Sequence, residues 1–273
     1  AVEKSCELFP RPNKRLVFEE CRGAVLVSQG DFVLKRTMPT AAETAANAYL
    51  RHIALDEMGN TFAPRCPLPS GNGYRLQGAG DGVYALADMG EETAGFVCLD
   101  FEVPCDCDVI AAFGEHLDDL RVRSYIDGRN FAFTYRAHRG RNVWRGNLRR
   151  LGLRYLQLYF LCERANLYDC RVLACRYPAK RKNTDIRDGL YRKIYENGAR
   201  TLENCMHEHY EDCPWREQAL YAMDSRNQML FGYFVFDDPL YAQSNLRLMS
   251  KGLREDGLLE LCFPARVGVT IPS

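Results

Sequence analysis

The sequence predicts a multidomain β + α protein, an antiparallel β-sandwich region followed by a helical region. Three observations predict it. Between residues 96 and 177 apolar and polar residues alternate, as in Val97, Leu99, Phe101 and Val103 around Asp100 and Glu102. That period of two is the mark of half-buried strands. Tight-turn signals such as Asp127-Gly128 interrupt these runs, and many short strands joined by tight turns indicate a sandwich. After Pro178-Ala-Lys-Arg-Lys-Asn183, which reads as a linker, the apolar period changes to about 3.6, that of a helix.

Taken in order, Leu16–Phe18, Ala24–Val27 and Phe32–Leu34 read as short strands, with Gln29-Gly30-Asp31 as a turn. Thr40-Ala-Ala-Glu43 is a capping box: Thr40 caps and Glu43 reaches back. The helix it starts is expected to run through Ala48, Tyr49, Ile53 and Leu55 and to stop near Gly59. A loop rich in Pro and Gly follows from Pro64 to Gly73, and Tyr74–Gln77 and Val83–Ala87 are expected to pair around Gly78–Gly82. Beyond the 97–103 strand, Ile126-Asp-Gly-Arg129 predicts a hairpin, continued by Phe131, Phe133 and Tyr135. Leu156, Leu158, Phe160 and Cys162 share one face of the next strand, and Val172 and Ala174 mark the last. Ile186, Leu190, Ile194, Leu202 and Met206 form a first helical face. A second helix is expected from Trp215 to about Phe236, and a third starts at Asp238-Pro239 and ends before Gly257.

Composition narrows the function. The chain has 273 residues, 47% hydrophobic, enough for a sizeable core and one to two domains. Thirty-six basic residues balance 36 acidic ones, so bulk charge implies no polyanion partner. The basic run from Arg139 to Arg154 reads as a solvated loop and strand edge, not a nucleic-acid surface. No run of about 18 apolar residues exists, so no membrane span is expected. No signal peptide is visible, although the chain begins at Ala1 rather than Met. The 12 cysteines include no CxxC; Cys105-Asp-Cys107 is the one close pair and lacks the matching second pair of a zinc site. Reduced, buried thiols in a cytoplasmic protein are the expectation, with a secreted disulfide framework as the runner-up. His207-Glu-His209 puts its histidines on different sides of a helix, so no metal is expected there.

The densest chemistry lies in Glu211-Asp212-Cys213-Pro214-Trp215-Arg216-Glu217-Gln218, followed by Asp224. Three carboxylates, an arginine and a tryptophan sit beside an apolar-periodic segment, where unpaired charge is costly. Read as a helix start, Asp212 caps and Pro214 takes an early position. Glu217 and Asp224 then fall on one face. Such a set suits a sugar: carboxylates and Arg216 bond hydroxyls, Trp215 stacks on a ring, and one carboxyl stays protonated as an acid. The bland alternative is that Asp212 only caps and that Arg216 and Glu217 are solvated surface charges.

These residues resemble the signature of the bacterial α-L-rhamnosidases of glycoside hydrolase family 78, with the leading Asp-Cys-Pro, the Arg-Glu pair and a later aspartate at matching spacing. Leu86-Ala-Asp-Met-Gly-Glu-Glu-Thr-Ala-Gly95 and Gly114-Glu115-His116-Leu117 are similar to patterns in that family's β domain. The resemblance covers roughly residues 85–273 and is specific around 205–238.

The resemblance implies an inverting hydrolase of terminal α-L-rhamnosyl residues on an (α/α)6 barrel, of which this chain carries the first helices. Glu217 matches the general acid, Asp212 and Asp224 match carboxylates that bind rhamnose hydroxyls, and Arg216 and Trp215 flank them. The general base of the family is a glutamate far downstream, so the chain is expected to be an incomplete, nearly inactive piece. The domains expected are 1–84, 85–178 and 179–273 (the incomplete barrel). No cofactor and no metal are implied, and the partner is a rhamnose-containing carbohydrate, with no nucleic acid and no membrane. Unpartnered helix faces predict self-association into a homo-oligomer. The competing class is a non-catalytic carbohydrate-binding β-sandwich.

Overall fold

The structure, a computed structural model, describes residues 11–21, 24–36, 38–53, 66–67 and 73–264. They fall into two compact units. A sheet unit comprises Phe18–Cys175 with Pro214–Arg216; a helical unit comprises the segment up to Val17, Arg176–Cys213 and the chain from Glu217 onward.

The sheet unit begins with β1 (Val17–Glu20), β2 (Val25–Val33), α1 (Ala41–Asn47), β3 (Tyr49–His52), β4 (Cys66–Pro67), β5 (Tyr74–Gln77), β6 (Gly82–Val103) and β7 (Cys107–Gly114). It continues with β8 (Leu117–Asp118), β9 (Arg121–Val122), β10 (Tyr125–Ile126), β11 (Arg129–Asn130), β12 (Ala132–Ala137), β13 (Gly140–Arg145), β14 (Leu151–Phe160) and β15 (Arg164–Arg176). Eleven of these strands form one antiparallel sheet with the path β1-β15-β6-β14-β7-β12 and branches from β2, β3, β4, β5 and β13. The two remaining pairs, β8-β9 and β10-β11, are small ladders. The antiparallel β character expected from alternation is therefore present. Strands β1–β5, within residues 1–84, join the same sheet, since β1 and β5 pair with β15 and β2 with β6.

Strand β6, 22 residues long, organises the sheet by changing partners along its length. Up to Asp88 it lies between β2 and β14; from Gly95 it pairs with β15, and from Cys98 also with β13. Its first half is buried on both faces. Val83, Ala85 and Ala87 face the main core, while Tyr84 and Leu86 face a second cluster with Phe32, Tyr159 and α1. Two covered faces explain why 82–87 reads as a continuous apolar run and not as an alternation. The partner change falls at the Leu86-Ala-Asp-Met-Gly motif. Asp88, 2% exposed, accepts from Arg154 Nε at 2.9 Å and Nη2 at 3.1 Å, and from Gly90 N at 2.8 Å. Gly90 has φ +85°, a region natural to glycine.

Several local expectations change. The Thr40–Glu43 box forms, with Glu43 N donating to Thr40 Oγ1 at 3.2 Å and Thr40 Oγ1 to Glu43 Oε2 at 2.8 Å. The helix nevertheless ends at Asn47, because Tyr49–His52 pair with β2 as β3; Leu55 and Gly59 lie outside the described residues. Gln29-Gly30-Asp31 is no turn but the middle of β2. Gly30 is needed there because a Cβ would stand 1.8 Å from Arg51 O on β3. Tyr74–Gln77 pairs with β15 instead of Val83–Ala87. The Asp127-Gly128 hairpin is present, with φ of +48° and +76° at the two turn residues, as a type I′ turn requires.

In the helical unit α2 (Gly189–Asn204), α3 (Ala222–Val235) and α4 (Pro239–Ser250) surround Leu202, Met206, Tyr210, Leu220, Met229 and Tyr241. Asp188 caps α2, accepting from Leu190 N at 2.8 Å and Tyr191 N at 3.0 Å. The expected linker is tied down: Arg181 meets Glu203 at 2.6 Å, and its backbone bridges to Phe236. Leu190, Ile194, Leu230, Phe231, Phe234 and Leu240 remain exposed. No described helix is long and apolar enough to cross a membrane.

Candidate active site

The motif begins in a closed loop, not a helix. The Asp212 N–H donates to Ala219 O at 3.0 Å, and the Ala219 N–H donates to Asp212 Oδ1 at 2.9 Å. Between them Gln218 takes φ +54°, which breaks any helical path at that residue. Helix α3 therefore starts at Ala222 rather than Trp215, with Tyr221 in the cap position. Asp212 closes a loop where a helix cap was expected, and Glu217 precedes the helix whose first turn holds Asp224, so the shared-face spacing does not apply. Asp224 is exposed.

Within the loop the Cys213 thiol donates to Glu217 Oε2 at 3.4 Å. One ligand atom each from Asp212, Cys213 and Glu217 lies within 4.8 Å of the others. All three side chains are half-buried. Burial pushes the Asp212 carboxyl above its ordinary range, and the nearby Glu217 charge adds to that, against the opposing hydrogen bonds of Ala219 and Cys213. Tyr221 borders both carboxylates, Cys262 borders Asp212, and the two form a backbone bridge with each other. Burial raises both, and the charge of Asp212 contributes to each. An Asp-Cys-Glu set at this spacing is also able to hold a metal ion; as a proton-handling pair it needs none. Sequence reading missed Tyr221 and Cys262. Tyr221 is close enough in sequence to be found, whereas Cys262 is brought in by the end of the described chain.

Trp215 belongs to the sheet unit's core. It is 8% exposed, with its ring 4.4 Å from that of Phe131 and edge-on to His116 at 5.8 Å. The indole expected to stack on a sugar is thus packed among protein rings, and its Nε1 is buried with no hydrogen-bond partner among the described residues. Gly152 receives the segment: a Cβ there would stand 2.3 Å from Pro214 O. Arg216, next to it, is exposed.

His207 and Glu211, upstream of the loop, form a buried pair of their own. His207 Nδ1 lies 3.1 Å from Glu211 Oε2, and His209 Nδ1 instead meets Tyr210 O at 2.7 Å. Both histidines lie in the loop past the end of α2, so the helical spacing argued for them does not apply.

No protein-family model matches the chain, and no curated protein matches it. Solved structures do. A rhamnosidase of glycoside hydrolase family 78 from Bacillus sp. GL1 is 23% identical, with a TM-score of 0.66 over 84% of this chain and 24% of that one. A rhamnosidase from Klebsiella oxytoca with rhamnose bound is 17% identical, with a TM-score of 0.67 over 92% of this chain and 47% of that one. An α-L-rhamnosidase from Aspergillus terreus is 15% identical, with a TM-score of 0.52 over 81% and 26%. The last comes from a fungus, so the likeness is not confined to bacteria. The chain spans less than half the length of each of these proteins, and its fold is that of a segment of the α-L-rhamnosidases.

Proposed function

We propose that the chain is part of an inverting α-L-rhamnosidase, which removes terminal α-L-rhamnosyl residues from glycosides or polysaccharides. The observation that carries this reading is the Asp212–Cys213–Glu217 cluster, two carboxylates and a thiol in one half-buried loop. The shared fold adds support, since one protein of that fold holds rhamnose.

In this reading Glu217 is the general acid and protonates the glycosidic oxygen as the aglycone leaves. Burial, with the Glu217 charge beside it, raises the Asp212 carboxyl above its ordinary range. The Cys213 thiol steadies the Glu217 carboxyl. Asp212, Arg216 and Asp224 bond rhamnose hydroxyls, and Trp215 anchors the segment that carries Arg216. A second carboxylate, roughly 6.5–9.5 Å away, activates water on the opposite face of the ring. Helices α2–α4 are then the first of an (α/α)6 barrel. Their exposed Leu190, Ile194, Phe231 and Phe234 fit that assignment, as apolar side chains for further helices to cover. No cofactor or metal is assigned. The chain is expected to self-associate through those apolar faces.

The test is hydrolysis of nitrophenyl α-L-rhamnoside by the chain expressed in its natural reading frame, beside Glu217→Gln. Turnover is expected to fall by roughly 10²–10⁴-fold in the variant while rhamnose binding persists. Lost binding with turnover intact would overturn the assignment of Glu217. Activity confined to a different glycoside would discard rhamnose as the substrate.

A further inference from the structure

Cys105-Asp106-Cys107, the one close cysteine pair in the sequence, has no part in the proposed reaction, yet Cys107 has a second thiol beside it. Strand β7 starts at Cys107 and β14 ends at Phe160, and they pair with Phe160 opposite Val109 and Tyr159 opposite Ile110. The register continues past the strand end, because the Leu161 N–H donates to Asp108 O at 3.0 Å. One residue further, Cys162 stands opposite Cys107. Since Leu161 and Asp108 carry the ladder bond, Cys107 and Cys162 form a non-hydrogen-bonded pair, the kind with Cα atoms about 4.5 Å apart. That spacing lies inside the roughly 4.4–6.8 Å range that a disulfide spans. Both side chains face the same core cluster as Val109 and Phe160, so the sulfurs point the same way. They are 5% and 8% exposed, at strand ends where local opening is easiest. Among the described residues no third ligand group joins them within metal-binding range, and Cys105 is exposed. The site is a dithiol and not a thiolate cage.

We propose that Cys107 and Cys162 are a redox-active dithiol that closes to a cross-strand disulfide on reaction with a small-molecule disulfide such as oxidised glutathione. The modification staples the start of β7 to the end of β14. The Cys107 thiol hydrogen-bonds to Cys162, and the Cys162 thiol donates to Arg164 O at 3.1 Å. Either sulfur can open the exchange with the same balance of atoms. With Cys162 first, its thiolate attacks one glutathione sulfur, forming a Cys162–glutathione bond and releasing one glutathione thiolate. Cys107 Sγ then attacks Cys162 Sγ, forming the protein disulfide and expelling the second glutathione. Two protein thiols are oxidised, one glutathione disulfide is reduced to two thiols, and the two thiol protons pass to the glutathiones.

The test is equilibration of the whole chain in glutathione redox buffer, followed by alkylation, cleavage before Asp106 to separate Cys105 from Cys107, and non-reducing peptide mass analysis. The expected result is one cross-link joining the Cys107 and Cys162 peptides, unchanged in Cys105→Ser. An upward shift of the thermal midpoint that dithiothreitol reverses is also expected. Cys107→Ala should trap glutathione on Cys162. If that variant does not fold, the wild-type peptide map still decides. A Cys105–Cys107 cross-link, or full alkylation of Cys107 and Cys162 under oxidising buffer, would overturn the proposal.

Discussion

Asp212 and Ala219 clamp the motif loop twice, N–H to carbonyl at 3.0 Å and N–H to carboxylate at 2.9 Å. The carboxylate beside the proposed acid therefore also holds the loop shut. Asp212→Ala leaves the Ala219 N–H without that acceptor, at a cost of about 1–3 kcal/mol. Asp212→Asn keeps an acceptor oxygen in place and should stay close to wild type at low pH. Urea unfolding of the three proteins checks this. Equal midpoints for Ala and wild type would show that the clamp contributes nothing.

Burial, helped by the Glu217 charge, gives Asp212 a stability signature in pH. Its folded pKa is raised above 3.8, so the folded state holds the proton more tightly than the unfolded chain. The contribution of this group is fully present below the unfolded pKa and is lost as pH rises through the folded one. Asp212→Asn does not titrate, so its stability relative to wild type should improve from about pH 4 toward neutrality. A carboxyl carbon NMR titration should place the Asp212 midpoint above that of an ordinary aspartate. A midpoint at or below that range, with a pH-flat difference between the two proteins, contradicts this account.

Features set by near neighbours were legible in the sequence, and features set by distant partners were not. Thr40 and Glu43 cap α1 as read, and Asp127-Gly128 turns the hairpin, because each depends on residues a few positions away. Tyr49–His52 extended an apparently helical run, but pairing with Gly30–Val33 makes it a strand, and strand preference is decided by such neighbours. Asp-x-Pro before an apolar run looked like a helix start at 215. The clamp to Ala219 and the positive φ of Gln218 postpone it to 222. The site divides in the same way. Asp212 and Glu217 were visible because one loop carries them, whereas Cys213 was read only as part of the motif. Trp215 misled because an exposed stacking face and a core ring look alike in sequence, and nothing local announces Cys262.

Gly152 accommodates the segment that carries Trp215. In Gly152→Ala the new Cβ would meet Pro214 O at 2.3 Å, Pro214 C at 2.4 Å and Trp215 N at 2.7 Å, all backbone atoms without a rotamer to yield. The segment must shift, at about 1–3 kcal/mol. The chain has two tryptophans, so in a Trp144→Phe background the emission reports Trp215 alone. A red shift with lowered stability is expected in Gly152→Ala. Unchanged emission at full stability would show that the close approach is not required.

The buried His207–Glu211 pair should couple the helices of its unit. Glu211 N donates to Cys205 O at 2.9 Å just past α2, and Glu211 O accepts from Gln228 Nε2 of α3 at 2.5 Å. The Tyr241 hydroxyl of α4 donates to His207 O at 3.3 Å. With the side chains 0% and 3% exposed, water does not replace a lost partner. Glu211→Ala and His207→Ala should each cost about 1–3 kcal/mol. The double variant should cost less than their sum, because removing the second partner releases a group already left wanting. A double-mutant cycle on helical circular dichroism measures the coupling, expected at roughly 0.5–3 kcal/mol. Strict additivity would mean that the contact carries no energy and that the helices are held by their apolar core alone.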